Sequence, residues 1–410
     1  VVGALDLGSS RVLAVIGEVT GGPRSPGIRV LGLGSEKTTG LRRGVVRDIE
    51  ETTRAVGRAL KDAQLMAGVA VGTVYCGVAG EHVAGRISHG VVSVAGNEIR
   101  TADVARVNDV AANVSFSRDH ELLHAVPQDY LVDQQGGITD PIGMSGSRLE
   151  AQVYLVTVLS SALSNLRKAV ERAGVEVGEF VLEPLAASLA VLTADERELG
   201  CALLELGGGS TNIAVFQNGT IRHTASLMFA GNHVTNDVVH GLQVPQIEAE
   251  QLKERHGAAF EPLVPEDETI LLPAATGQPA RTASRRVLAH IMHMRLQEIL
   301  ELALDDLGRA GFRQRLGNGV VLTGGGAETP GIVDLAREVL AMPVRIGSPG
   351  AGLTGLADRV ASPRAAVAVG LLLWGAKQVL QSGGFGAAVR RAQPVDRVIG
   401  PVKRWLLDFF

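Results

Sequence analysis

Two short stretches of this chain carry an acid, glycines and hydroxyls in the same order. The first is Ala4-Leu5-Asp6-Leu7-Gly8-Ser9-Ser10-Arg11-Val12-Leu13-Ala14-Val15-Ile16-Gly17. The second is Leu203-Leu204-Glu205-Leu206-Gly207-Gly208-Gly209-Ser210-Thr211-Asn212-Ile213-Ala214-Val215-Phe216. Each reads as an apolar strand with an acid near its end, a glycine and hydroxyl turn, and a second apolar strand. Backbone N–H groups and hydroxyls in such turns donate to phosphate, and glycine lets the backbone come close. Facing each other, the two would clasp a polyphosphate. Gly8, Ser9, Ser10 and Arg11 would act from one side, Gly207, Gly208, Gly209, Ser210 and Thr211 from the other. Asp6 and Glu205 would then face a Mg²⁺ ion through its water shell, which Mg²⁺ gives up reluctantly. A third apolar strand, from Val320, ends in Gly324, Gly325 and Gly326, bare backbone against which adenine could lie. No helix follows the first turn, which excludes a P-loop, whose glycines open one. Any one cluster could be an ordinary turn; all three in this order point to ATP and Mg²⁺.

The elements holding these turns are equally patterned. A helical stretch, Ser161–Ala173, precedes the apolar run Phe180–Leu192, which contains Glu183-Pro184 and then a small-residue face. A matching small-residue segment, Ala365–Gly370, follows the third glycine cluster. Small faces let two helices approach closely, as at a crossing between lobes. Val78–Thr157 carries its own strands and a helix around Thr101–Asn113, so it reads as an inserted subdomain. Ser382–Pro394 is Gly/Ala-rich and reads as a linker. The whole predicts an α/β protein in two matching lobes.

Bulk composition agrees. The chain has 410 residues, too many for one ordinary core. It is 46% hydrophobic and 20% charged, a globular balance, and its 51 glycines with only 3% aromatics suit tight phosphate-type turns. A formal charge of −4 argues against nucleic acid as partner. Cys76 and Cys201 make neither metal-ligand spacing nor a disulfide framework, which suits a reducing cytosol. No run reaches the ~18 apolar residues of a membrane span. The chain begins Val1-Val2 without Met, so residues can be missing before it, and no signal-peptide pattern stands there.

The other end differs in character. From Pro401, tolerated in a first helical turn, Val402, Trp405, Leu406 and Phe409 share one face beside Phe410, while Lys403 and Arg404 point away. Over Ala387–Phe410, Arg390, Arg391, Arg397, Lys403 and Arg404 stand against Asp396 and Asp408, a net of +3. A basic amphipathic end suits an anionic membrane surface. A helix packed on the body is the alternative, and the preceding linker argues against it.

In order, these motifs resemble the phosphate, connecting and adenosine segments of the actin/Hsp70/sugar-kinase superfamily. More narrowly, the chain resembles the FtsA family of actin-like bacterial division proteins. The narrower likeness rests on His124-Ala125-Val126-Pro127-Gln128-Asp129-Tyr130, Asp140-Pro141-Ile142-Gly143-Met144-Ser145-Gly146-Ser147-Arg148-Leu149-Glu150, Gly231-Asn232-His233-Val234-Thr235-Asn236-Asp237, Gly370–Gly375 and the amphipathic C-terminus. It implies an actin-like two-lobe ATPase fold of duplicated RNase H-like domains, with an FtsA-type inserted subdomain and a C-terminal amphipathic helix. The implied divisions are 1–77 and 158–182 for the first lobe's core, 78–157 for the insert and 183–237 and 317–354 for the second lobe's core. Residues 238–316 form the second lobe's own subdomain, 355–381 the first lobe's closing helix, 382–396 a linker and 397–410 the membrane helix.

The resemblance also implies ATP and Mg²⁺ binding, self-assembly into filaments, capture of the C-terminal peptide of FtsZ, recruitment of later division proteins, and peripheral attachment to the cytoplasmic membrane at the division site. It puts Glu250 and Lys253 near ribose, though an exposed i, i+3 ion pair reads as well. It makes Glu183 and Glu205 the candidate catalytic acids, Glu183 orienting a water; a buried capping carboxylate beside Pro184 is the bland alternative. It matches Arg281 and Arg295 to FtsZ-contacting arginines, whereas charge clusters are commonly solvated faces. Two positions depart from the family pattern, which usually has Asp at Glu205 and often Asp at Asn212. The extra methylene carries the Glu205 carboxylate ~1.5 Å further out. Asn212 is neutral and cannot act as a base, so slow hydrolysis is expected. A small-molecule kinase and a pilus-assembly adaptor of the same fold remain the competing readings.

Overall fold

A computed structural model describes residues 1–22, 25–272 and 279–382. Near-continuous apolar runs, buried on both faces, build β1 (Val2–Leu7) and the first half of β2 (Arg11–Gly22), and alternating burial marks β3 (Ser25–Lys37); the three form a meander. A short hairpin follows, β4 (Leu41–Arg42) and β5 (Val45–Val46), then α1 (Ile49–Ala67), capped by the Asp48 side chain, and β6 (Thr73–Val78). Next come β7 (Val83–Ser93), α2 (Thr101–Ala112), β8 (His120–Val132), β9 (Gln135–Ile138) and β10 (Arg148–Leu159), with their own sheet, ordered β7-β10-β8-β9, and their own core around Val104, Val107 and Leu149. After α3 (Ser160–Arg172), β11 (Glu176–Leu182) runs parallel to β6.

The second half opens with α4 (Glu183–Val191) and the short α5 (Ala194–Leu199), then β12 (Cys201–Leu206), β13 (Thr211–Gln217) and β14 (Thr220–Leu227). Helices α6 (Gly231–Leu242) and α7 (Gln246–His256), hairpin β15 (Thr269–Leu272) and β16 (Arg281–Ser284), and α8 (Arg285–Arg309) follow. The chain then makes β17 (Val320–Thr323), α9 (Ile332–Leu340), β18 (Val344–Ile346), β19 (Leu353–Gly355) and α10 (Ala366–Ser382).

The two large sheets repeat one plan. In the first, the order β11-β6-β1-β2-β3 is extended by β19; in the second it is β18-β17-β12-β13-β14. The central hairpins β1–β2 and β12–β13 are antiparallel, and each is flanked by a parallel strand, β6 and β17 respectively. Between the sheets lies a helical layer, α4 and α10, packed by Val2, Ala4 and Val15 on one side and Leu203, Ala214 and Phe216 on the other. The small-residue faces meet there: a Cβ on Gly370 would lie 1.9 Å from the Ala186 carbonyl oxygen. Outer layers cover the remaining faces, α1 and α3 on the first sheet and α6, α8 and α9 on the second.

Two bridges connect halves that a linear reading keeps apart. Strand β19, though it follows β18, pairs in parallel with β3 of the first sheet. The β7–β10 sheet, rooted in the first half, also bonds to β14 of the second: the Gln128 amide donates to the Ile221 carbonyl at 2.9 Å, the Thr224 N–H donates to the Tyr154 hydroxyl at 2.9 Å, and Arg222 pairs with Asp129 at 2.6 Å. Among the described residues no helix is long and apolar enough to cross a membrane.

Candidate functional site

Hairpins β1–β2 and β12–β13 leave loops of equal length, since Leu7 pairs with Val12 and Leu206 with Thr211. Both loops are tight in the same way: a Cβ on Gly8 would come 2.9 Å from the Arg11 carbonyl oxygen, and one on Gly207 would come 2.7 Å from that of Ser210. The loops also touch. A Cβ on Gly208 would lie 2.4 Å from Ser10 Oγ, and one on Gly209 the same distance from Ser9 Oγ, so a larger residue at either position would push the facing serine aside. The start of α6 holds the second loop, with the N–H groups of Gly231 and Asn232 donating to the carbonyls of Gly207 and Gly208 at 3.1 and 2.8 Å. Gly324 has φ +82 and is pressed onto Leu206, whose carbonyl oxygen a Cβ would meet at 2.7 Å, and Gly326 rests on the Leu206 side chain.

Under the loops gather three carboxylates. Asp6 and Glu205 occupy equivalent places, each one residue from the end of its strand, and Glu183 opens α4. The Asn212 amide, opposite Glu205 in register, donates to Glu205 at 3.1 Å and reaches Glu183 at 3.4 Å, while its carbonyl accepts from the Ser226 hydroxyl at 2.9 Å. Gly77 makes room for Glu183, whose Cγ a Cβ there would meet at 2.9 Å. Desolvation raises all three carboxyls above their ordinary range. Repulsion by Glu205 and Asp6 adds to the rise at Glu183, repulsion by Asp6 to that at Glu205, and Arg11 partly offsets it at Asp6. Three such acids close together are uncomfortable without a cation. Yet no group of three His, Cys, Asp or Glu side chains among the described residues forms a ready metal cage.

The remaining wall combines both halves. Arg11 feels Arg364, Asp6, Glu328 and Glu254, and desolvation and Arg364 lower its affinity for its proton. Arg364 and the Ser362 hydroxyl bind Glu328 beside the Gly324–Gly326 backbone. Glu250 and Lys253 form the i, i+3 pair of α7 at 2.7 Å, but they are half-buried rather than exposed, because Lys253 also donates to the Thr235 hydroxyl at 2.8 Å and to the Gly231 carbonyl at 3.3 Å. The pair thus lies behind the second loop.

Arg281 and Arg295 make their hydrogen bonds to other parts of the chain, not to the glycine loops. Arg281 donates to the Leu242 carbonyl at the end of α6 at 2.6 Å, and Arg295 grips Asp237 on the same helix at 2.5 and 3.1 Å and also pairs with Glu298. Both brace α6 within the chain. Val402, Trp405, Leu406, Phe409 and Phe410 lie outside the described residues. Sequence reasoning missed Ser226, Thr235, Glu328, Ser362 and Arg364 as neighbours of the cleft. Of these, only Thr235 lies in a stretch singled out above.

Paired hairpins over a carboxylate floor, repeated in two sheets about a helical layer, define an actin-like fold. Solved structures agree on it. A chain of the PilM–PilN type IV pilus biogenesis complex superposes with a TM-score of 0.66 at 17% identity, covering 92% of this chain and 98% of that one. MreB5 of Spiroplasma citri bound to ADP gives 0.54 at 16% identity, covering 93% and 98%. Family models match cell division protein FtsA over residues 202–370 and the SHS2 domain inserted in FtsA over residues 80–157. Cell division protein FtsA of Pseudomonas aeruginosa is 41% identical over 99% of this chain and 97% of its own length, and that of Neisseria meningitidis 38% over 100% and 98%. FtsA of Escherichia coli K12 is 36% identical over 98% and 94%. The chain belongs to the FtsA family of cell division proteins.

Proposed function

We propose that the protein binds ATP with Mg²⁺ in the cleft between its halves, polymerises, and tethers the FtsZ ring to the cytoplasmic membrane, where it recruits later division proteins. The observation that carries the nucleotide reading is the contact of the two loop tips, Ser9–Gly209 and Ser10–Gly208, above Asp6, Glu183 and Glu205. Support also comes from the solved MreB5 structures, described as bound to ADP and to AMPPNP. The donor set fits Mg²⁺ held through water: the acids are near one another but, among the described residues, do not converge into a ready cage, and phosphate oxygens would complete the shell. When bound, the cation would neutralise phosphate charge. Asp6 and Glu205 would orient its water, the glycine loops and Arg11 would hold the phosphates, Glu250 and Lys253 would reach ribose, and Gly324–Gly326 would bed adenine.

Hydrolysis is slow in this reading. Asn212 is neutral and cannot itself take a proton from an attacking water; its amide donates to Glu205 and reaches Glu183, and its carbonyl accepts from Ser226. ATP then acts as an assembly switch. Arg281 and Arg295 belong to the surface offered to the FtsZ peptide, and their grip on α6 links that surface to the second loop.

For the C-terminal segment, burying Val402, Trp405, Leu406 and Phe409 would gain on the order of 5–8 kcal/mol before ordering costs. One foot binds weakly and reversibly; linked subunits bind far more tightly. Co-sedimentation with anionic vesicles, with and without Mg-ATP and the FtsZ tail peptide, tests the whole. Vesicle binding should rise cooperatively with protein concentration and respond to ATP; attachment indifferent to both concentration and nucleotide would refute it.

A further inference from the structure

The β4–β5 hairpin is an odd place for an arginine. Its two-residue turn, Arg43-Gly44, has φ +54 and +76, the left-handed pair that asparagine and glycine usually supply. A side chain held at such a φ points to a constraint. The turn touches the tips of both glycine loops: the Gly44 N–H reaches Ser9 Oγ at 3.4 Å, and a Cβ on Gly209 would come 3.2 Å from the Arg43 nitrogen. Arg43 is half-buried and makes no ion pair or side-chain hydrogen bond among the described residues. Its charge nonetheless reaches across to His233 in the first turn of α6; burial first, then Arg43 and Arg295, disfavour the protonated imidazole. Arg11, deeper in the cleft, faces Asp6 and Glu328, whereas the loop tips carry a guanidinium with no carboxylate bound to it. The cleft is therefore negative at its floor and positive at its tips.

Resting on the nucleotide reading above, we infer that Arg43 is a further nucleotide-binding residue, the one that distinguishes a triphosphate from a diphosphate by contacting the terminal phosphate. Guanidinium recognises phosphate in a fork geometry that an ammonium does not reproduce. The turn also leans on the segment leading into the β7–β10 sheet. A Cβ on Gly44 would lie 1.9 Å from the Ala79 carbonyl oxygen, one on Gly80 would lie 2.5 Å from that of Arg43, and each would lie 3.1 Å from the buried His82 ring. Whatever orders Arg43 also orders the root of the insert.

Calorimetric titration of the full chain with Mg-AMPPNP and Mg-ADP tests this, with thermal melting as the folding control. In Arg43→Ala, affinity for Mg-AMPPNP should fall tenfold or more while that for Mg-ADP stays within twofold. Arg43→Gly relieves the backbone, so it should melt no lower than wild type and still lose the triphosphate preference. Arg43→Lys should fall between. Equal losses for both nucleotides, or none, would overturn the assignment while leaving the cleft reading intact. A wild-type chain that binds neither nucleotide would overturn both.

Discussion

At the scale of single residues, the cleft is governed by how many charges its floor can hold. Asn212 joins Glu205 to Glu183 without adding a charge. In Asn212→Asp a further carboxylate would be forced into this buried group, and the nucleotide-free protein should lose about 2–4 kcal/mol of stability. Melting with and without Mg-ATP checks this: the loss should shrink when nucleotide is bound, and an unchanged apo melting temperature would contradict it. The opposite change, Glu205→Asp, retracts the carboxylate and should speed phosphate release, measured over many turnovers. Elsewhere, desolvation pushes the Glu179 carboxyl up to about 7, partly offset by the Trp374 indole N–H that donates to it at 2.9 Å. A carboxyl raised in the folded state binds its proton more tightly there than in the unfolded chain. The folded state is thus penalised increasingly as pH rises from about 4.5 to about 7, and the penalty is constant above. Glu179→Gln should therefore stabilise by about 1–2 kcal/mol at pH 8 and by much less at pH 5, read from denaturant midpoints.

At the scale of elements, the hairpins were legible because each joins two near-continuous apolar runs, buried on both faces, through a tight glycine turn. The crossing of α4 and α10 was legible from its small residues, and Gly370 against Ala186 gives the reason. Gly370→Leu should cost about 3 kcal/mol or more, since the obstacle is backbone that cannot rotate away; a melting temperature within a degree or two of wild type would disprove this packing. The Asn212–Glu183–Glu205 group could not be read in advance, because it depends on strand register joining residues of three elements. Nor could the role of Arg43: Leu41-Arg42-Arg43-Gly44 looks like any basic turn until its neighbours are known. The half-burial of Glu250 and Lys253 likewise comes from Thr235 and Gly231 on another helix.

At the scale of the whole molecule, the duplication was readable but the bridges between halves were not. Nothing in a linear pattern tells that β19 rejoins the first sheet, or that Gln128, Asp129 and Tyr154 reach β14. The insert straddles both halves on side-chain bonds worth about 1 kcal/mol each. Combining Gln128→Ala, Tyr154→Phe and Arg222→Ala should accelerate hydrogen exchange in Thr220–Leu227 while leaving that in Val2–Leu7 unchanged. Unchanged exchange in Thr220–Leu227 would show that these side-chain bonds do not hold the insert to β14.

The return of β19 and α10 to the first sheet has a consequence for synthesis. Strands β1 to β3 are complete by Lys37, but the apolar cover of Val2, Ala4 and Val15, including Leu371, Leu372 and Trp374, leaves the ribosome only at the far end of the message. At ordinary translation speeds that is a wait of roughly twenty seconds to a minute. The later half, whose strands and outer helices are contiguous, can close before the earlier one is finished. A nascent chain stalled before Leu353 should thus expose a greasy, chaperone-binding surface at its N-terminal end.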